Sequence, residues 1–181
     1  MTKAFDLLPL DESNLAMVLA WRNAPSVRKN MYTSHEISLS EHKLWFKKLV
    51  DDKSRLYFVA SVNDVPCGVI GFTEINLVKG IASWAFYTDP LALRGSGTLM
   101  EFYAIDYAFN NLNLHKLKCE VLGFNKSVIK LHTKFGFIIE GDHRDAYFND
   151  GRYHNIVHLG LLSTEWTDQR VIMMDKLRMV D

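Results

Sequence analysis

The segment Leu93-Arg94-Gly95-Ser96-Gly97-Thr98-Leu99-Met100 places an arginine and two glycines where a strand-like stretch gives way to an apolar helical one. A helix N-terminus leaves backbone N–H groups unpaired, and its dipole favours anions. Gly95 and Gly97 have no Cβ, so phosphate oxygens can approach the main chain closely, and Arg94 adds a permanent positive charge. The chemistry this supports is diphosphate binding; the alternative is an ordinary strand–helix turn that needs glycine. Other phosphate loops fit worse. A P-loop requires a lysine after its second glycine, and a dinucleotide fingerprint requires a third glycine where Met100 stands. A second segment, Asn125-Lys126-Ser127-Val128-Ile129-Lys130-Leu131-His132-Thr133-Lys134-Phe135-Gly136-Phe137, reads as a capped helix returning through Gly-Phe to a strand.

The rest of the chain must position these two stretches. Its 181 residues are expected to form one domain, 1–181, with 164–181 as a C-terminal helical extension. Formal net charge is zero, with 21 acids against 21 Lys plus Arg, which argues against nucleic acid as a partner. No apolar run reaches membrane-spanning length, and the first residues, Met1 to Asp6, lack a signal-peptide core; the cytoplasm is the expected location. Cys67 and Cys119 lie in apolar segments and read as buried thiols rather than a disulfide. The seven histidines show no His-Glu-x-x-His pattern, so no metal site is expected.

Phe5–Leu10 reads as a first strand and Asn14–Arg22 as a helix carrying Leu15, Val18, Leu19 and Trp21. Ser38-Leu39-Ser40-Glu41 fits a capping box that opens the next helix. Strands follow at 56–62, 68–77 and 81–88, with Asn63-Asp64 and Lys79-Gly80 as turns. Thr98–Phe109 is apolar nearly all round and predicts a buried helix. A strand at 117–122, the helix 125–134, a strand at 136–140, a turn at Asn149-Asp150-Gly151, a last strand at 156–162 and a closing helix complete the order. This is an α+β domain with a mixed, mostly antiparallel sheet flanked by helices.

On these two stretches the chain resembles the GNAT superfamily of N-acetyltransferases. The superfamily's coenzyme-A loop, Arg/Gln-x-x-Gly-x-Gly/Ala, is matched by Arg94 and Gly97, with Leu99 departing from the third position. Its helix–strand pattern is matched at Asn125, Leu131, Lys134, Gly136 and Phe137, while Val128 replaces a small residue and His132 a tyrosine. Upstream, Trp21-Arg22-Asn23, Met31-Tyr32 and His42 are similar to the amino-sugar acetyltransferases of pseudaminic acid biosynthesis. The resemblance implies acetyl-CoA as co-substrate, a UDP-linked 4-amino sugar as acceptor, and a product used in flagellin or surface-polysaccharide glycosylation. Two related readings are a ribosomal-protein-type N-terminal acetyltransferase and a noncatalytic acyl-CoA-binding domain.

The resemblance also assigns residues. Phe86, Tyr87 and Thr88 would face pantetheine with their backbone, and the sheet would splay between strands 68–77 and 81–88. The loop from Arg94 through Gly95, Ser96, Gly97, Thr98 and Leu99 would hold the diphosphate, and Asn125 would meet a pantetheine amide or simply cap its helix. His132 would protonate the departing sulfur, since thiol and imidazole titrate near ~8.5 and ~6.5, or be a helix-surface or core histidine that donates one hydrogen bond, with water or the substrate ammonium supplying the proton. Glu74 would relay the amine proton or be an exposed strand carboxylate. Arg22, Met31, Tyr32, His42 and Thr73 would bind the sugar nucleotide; by residue type alone they serve equally well as helix-end, surface or core residues. The apolar side of the C-terminal helix would cap the core or meet a second copy as a homodimer.

Overall fold

The computed structural model describes residues 4–178. Seven strands form one mixed sheet in the order β1-β2-β3-β4-β5-β7-β6, with six helices. These are β1 (Phe5–Pro9), α1 (Leu15–Asn23), α2 (Pro25–Arg28), α3 (Leu39–Val50), β2 (Leu56–Val62), β3 (Val65–Asn76), β4 (Ile81–Thr88), α4 (Ser96–Asp106), β5 (Lys116–Leu122), α5 (Lys126–Lys134), β6 (Ile138–Asn149), β7 (Arg152–Leu162) and α6 (Ser163–Leu177). The α+β expectation holds. Residues 179–181 of the expected closing helix, and 1–3 of the N-terminal reading, lie outside the described residues. The chain's contacts fall into two compact units. One runs through Ile75 and takes in Ala85–Met100; the other comprises Asn76–Trp84 and the chain from Glu101 onward.

In the first unit β1, β2 and β3 form an antiparallel meander, with Phe5 opposite Val62 and Val59 opposite Val69. The β2–β3 hairpin turns on Asn63 and Asp64, both at positive φ (51° and 63°), a conformation Asn and Asp tolerate better than most residues. Leu15, Val18 and Trp21 of α1 and Phe46 and Leu49 of α3 bury one helical face each against Val59 and Val69. Ser38 caps α3, its Oγ accepting from the Glu41 N–H at 3.2 Å. Only this half of the expected capping box forms, because the Glu41 carboxylate turns to His35 at 3.1 Å.

In the second unit β5 pairs with β7 over its whole length, and β7 with β6. Both β6 and β7 run longer than the sequence predicts. The hairpin closes on Asp150 and Gly151 (φ 49° and 74°), so ladder pairing extends up to Asn149 and Arg152. β4 and β5 are parallel, and their register covers only Ile81–Ser83 with Lys116–Lys118. The short ladder is therefore on the β5 side of β4, whereas the expected splay was on the β3 side. After Asp106 the apolar helix loosens into a π turn, Tyr107–Asn111. Asp106 joins α6 to it, accepting from Trp166 Nε1 at 3.0 Å and from Arg170 Nε at 2.7 Å.

Candidate active site

The glycine loop has the form its sequence suggests. Gly95 sits at φ +95°, a region that L side chains rarely adopt, and a Cβ there would meet nothing within 4 Å. The Leu93 carbonyl accepts from both Ser96 N–H and Ser96 Oγ, at 3.0 and 2.8 Å, which pins the turn that starts α4. A Cβ on Gly97 would lie 3.6 Å from Phe86 and from Thr88. The loop and the end of β4 are thus adjacent, which brings together the residues expected to face the donor. Arg94 is exposed, while Thr98 and Leu99 are half-buried. Leu99 N–H bonds to the Gly95 carbonyl at 3.1 Å as an ordinary first-turn contact, so its departure from the family pattern leaves the helix start intact. Gly68 lets β3 pass under this region: a Cβ there would lie 2.5 Å from the Tyr87 carbonyl oxygen.

The upstream motif builds a second cluster in the same unit. Trp21 is in the core, and Asn23 clamps the following loop through two bonds with Ile37, at 2.8 and 2.9 Å. Arg22 donates Nη2 to the Thr33 carbonyl at 3.2 Å, while its Nη1 is buried with no hydrogen-bond partner. His42 is buried, and its Nε2 also lacks a partner. The His42 ring stacks on Trp45 (5.1 Å between centroids), and Trp45 meets Tyr57 edge-on. Gly71 makes room for Tyr57, since a Cβ there would lie 2.5 Å from its ring. Burial lowers the Arg22 value, against the pull of Tyr87 and with a push from Arg28. Burial and the nearby Arg22 charge likewise lower His42. Burial drives the Tyr87 phenol far up, so it stays protonated. Two buried nitrogens without partners amid aromatics form an incomplete polar site.

The other candidates are placed as follows. Met31 is half-buried and Tyr32 half-exposed. Thr73 is half-buried, and Glu74 is exposed with φ +53°, a local kink in β3. In the second unit Asn125 begins α5 without a side-chain cap bond to the helix; its Oδ1 accepts from Ser127 Oγ at 3.0 Å. His132 lies in the core beside Trp84 and Phe137, its Nδ1 2.7 Å from Glu101 Oε1. Glu101 was absent from the sequence candidates. The available signal was a single acid inside the otherwise apolar run Thr98–Ile105. The pattern Lys134-Phe135-Gly136-Phe137 is a Schellman stop. Gly136 takes φ +97° and donates to the Thr133 carbonyl, while Phe137 N–H reaches His132. Among the described residues no group of three or more His, Cys, Asp or Glu is placed to hold a metal ion. Nor is any helix long and apolar enough to cross a membrane.

The acetyltransferase (GNAT) domain pattern matches residues 5–138, and the chain belongs to this family of N-acetyltransferases, which use acetyl-CoA. It is similar to the acetyltransferase PseH of Campylobacter jejuni subsp. jejuni serotype O:23/36 (strain 81-176), 31% identical over 147 residues, covering 81% of this chain and 91% of that protein. It is also similar to the spermidine N(1)-acetyltransferase of Escherichia coli K12, 27% identical over 161 residues, 88% of this chain and 87% of that one. In fold it resembles the Vibrio cholerae spermidine N-acetyltransferase crystallised with CoA and spermine: the TM-score is 0.84 at 23% identity, over 90% of this chain and 98% of the other.

Proposed function

We propose that this enzyme transfers the acetyl group of acetyl-CoA to the 4-amino group of a UDP-linked amino sugar of the 4-amino-4,6-dideoxy-N-acetyl-β-L-altrosamine type, a step of pseudaminic acid biosynthesis. The observation that carries the acceptor assignment is the pair of buried, unpartnered nitrogens, Arg22 Nη1 and His42 Nε2. A desolvated guanidinium beside an imidazole whose Nε2 lacks a partner suits a diphosphate, which supplies charge and acceptor oxygens together. Trp45, Tyr57 and Tyr32 offer aromatic surface for a base and an apolar wall for a deoxy sugar. Similarity to PseH of C. jejuni supports the same reading.

The reaction follows from the donor's chemistry. A neutral amine attacks the thioester carbonyl carbon, the C–S bond breaks, and the proton that the amine nitrogen loses balances the one the thiolate gains. No covalent enzyme intermediate is needed; positioning and oxyanion donors carry the catalysis. In this reading Gly95–Thr98 and Arg94 hold the coenzyme diphosphate, the backbone of Phe86–Thr88 aligns pantetheine like an added strand, and Asn125 meets one of its amides. His132 protonates the sulfur. Glu74 relays the amine proton to water, Thr73 and Met31 contact the sugar, and the protein works in the cytoplasm.

A polyamine acceptor is the second reading, favoured by the similarity to spermidine acetyltransferases. It is disfavoured by charge: Arg22 makes no ion pair with a carboxylate among the described residues, and a polycation would meet an uncompensated cation. The test is thiol release from acetyl-CoA with UDP-linked 4-amino sugars, their free sugars, spermidine and N-terminal peptides. Turnover is expected with the UDP-linked sugar alone. Preference for spermidine or peptide sinks the acceptor assignment, and thiol release with none of them indicates a domain that only binds the acyl donor.

A further inference from the structure

Glu101 lies in the middle of α4 with no solvent exposure, and its Oε2 has no hydrogen-bond partner among the described residues. An ionised carboxylate in such a place costs several kcal/mol unless a neighbouring charge or a proton compensates it. Among the described residues the ionisable partner bonded to it is His132, whose Nδ1 is 2.7 Å from Oε1. Trp84 from β4 and Phe137 just before β6 wall the imidazole, with ring centroids 5.4 and 5.3 Å away. Cys119 of β5 also feels this carboxylate; burial and the Glu101 and Glu120 charges keep its thiol protonated. Burial pushes the Glu101 carboxyl up, and His132 pulls it back.

We propose that Glu101 is the positioning residue for His132, and that the two are held as a pair of zero net charge with one proton between Oε1 and Nδ1 and a second on Nε2. Removing the second proton would leave a net negative charge in a dry core with one carboxylate oxygen unpaired. Whether the first proton sits nearer Oε1 or Nδ1, Nε2 bears hydrogen. The carboxylate lets the imidazole hold a second proton that it can give to a thiolate, because the negative charge that the pair then takes on is the one that sulfur loses. The inference rests on the reading that His132 delivers a proton to the leaving thiolate. In that step the amine nitrogen bonds the carbonyl carbon, the C–S bond breaks, and sulfur takes the Nε2 proton. The proton shed by the former amine returns through water to Nε2, so the pair ends as it began.

Two measurements test this separately from the acceptor assignment. Nitrogen-15 spectra of the imidazoles in the full chain, with His132 identified by its absence in His132→Gln, are expected to show a protonated Nε2 near neutral pH. In Glu101→Gln, where the carboxylate becomes a neutral amide, the Nδ1 and Nε2 signals of His132 should both shift. An unprotonated Nε2 in the unsubstituted protein, or identical His132 signals in the two, overturns the proposal even if no acceptor is turned over. In kinetics, Glu101→Gln should lower kcat by about tenfold or more and move the basic limb of the rate profile to lower pH. KM for acetyl-CoA should stay within about twofold, and Glu101→Asp should bring the limb back. An unmoved limb with unchanged kcat overturns it; a purely structural role would lower thermal stability and leave the limb in place. Thiol release with none of the acceptors sinks the functional reading and leaves the spectra to decide the pairing.

Discussion

Arg22 and His42 each leave a buried nitrogen without a partner. Their cost to the free protein makes sense as preparation for a ligand that completes them. Replacing Arg22 by leucine removes a charged donor while keeping the stem's packing. KM for the UDP-linked sugar is expected to rise about tenfold to a hundredfold, as the loss of one charge-assisted bond implies, with KM for acetyl-CoA unchanged. His42 makes a pH prediction. Burial and the Arg22 charge lower its value in the folded protein. Below the unfolded value of about 6.5 the unfolded chain therefore takes a proton before the folded one does, so stability falls as pH falls. Above that value both states are neutral and the penalty is absent. Urea midpoints between about pH 5 and 7.5 should fall on the acid side in the natural protein, and less so in His42→Gln. UDP should flatten the slope as well, because a bound diphosphate restores the missing counter-charge. Neither role follows from residue type, since an arginine at a helix end and a histidine on a helix are ordinary. Only burial without partners separates them from their many equivalents.

At the scale of elements, the glycines of the donor loop do different work, and substitution separates them. Gly95 needs its positive φ, so Gly95→Ala should cost about 1 kcal/mol of stability and loosen the turn. A Cβ on Gly97 meets Phe86 and Thr88 only at ordinary contact distance. Gly97→Val should therefore fold almost normally yet raise KM for acetyl-CoA by about tenfold or more, because its methyls occupy the space a phosphate would use. Urea unfolding and initial rates on the two variants decide this. Gly136 is a third case: at φ +97°, with a Cβ only 3.2 Å from Gln169, Gly136→Ala should destabilise by about 1–2 kcal/mol. These elements were legible because each rests on local rules: a left-handed stop after α5, an Asn-Asp turn after β2, a Ser cap on α3. Where the reading fell short, a longer-range choice prevailed. Glu41 preferred His35 to its own helix, and hairpin pairing carried β6 and β7 beyond their apolar stretches.

For the whole molecule, the mixed sheet was foreshadowed by the succession of periods along the chain, and the acetyltransferase family by the resemblance carried on Arg94–Leu99 and Asn125–Phe137; the strand order was not. The Glu101–His132 pair was not, since hydrophobic patterning treats a lone acid in an apolar helix as a flaw, whereas the folded core treats it as half of a neutral unit. Zero formal charge also concealed an imbalance, because it says nothing of Arg22, which makes no ion pair with a carboxylate among the described residues. That imbalance yields a prediction on the intact protein that needs no turnover. A ligand binding only the folded state stabilises it by about 2.7 kcal/mol at a hundred times its dissociation constant, and for a chain of this size each kcal/mol moves Tm by about 2–4 °C. Coenzyme A and UDP, each at saturation, should therefore raise Tm by about 5–10 °C, while spermidine should leave it unchanged. The coenzyme A shift should vanish in Gly97→Val and persist in Arg22→Leu; the UDP shift should do the reverse. Both shifts should survive Glu101→Gln, whose role is in moving a proton and not in holding either ligand. A spermidine shift that Arg22→Leu enlarges would show that the cluster repels rather than recruits its acceptor, and would transfer the acceptor assignment to the polyamine reading.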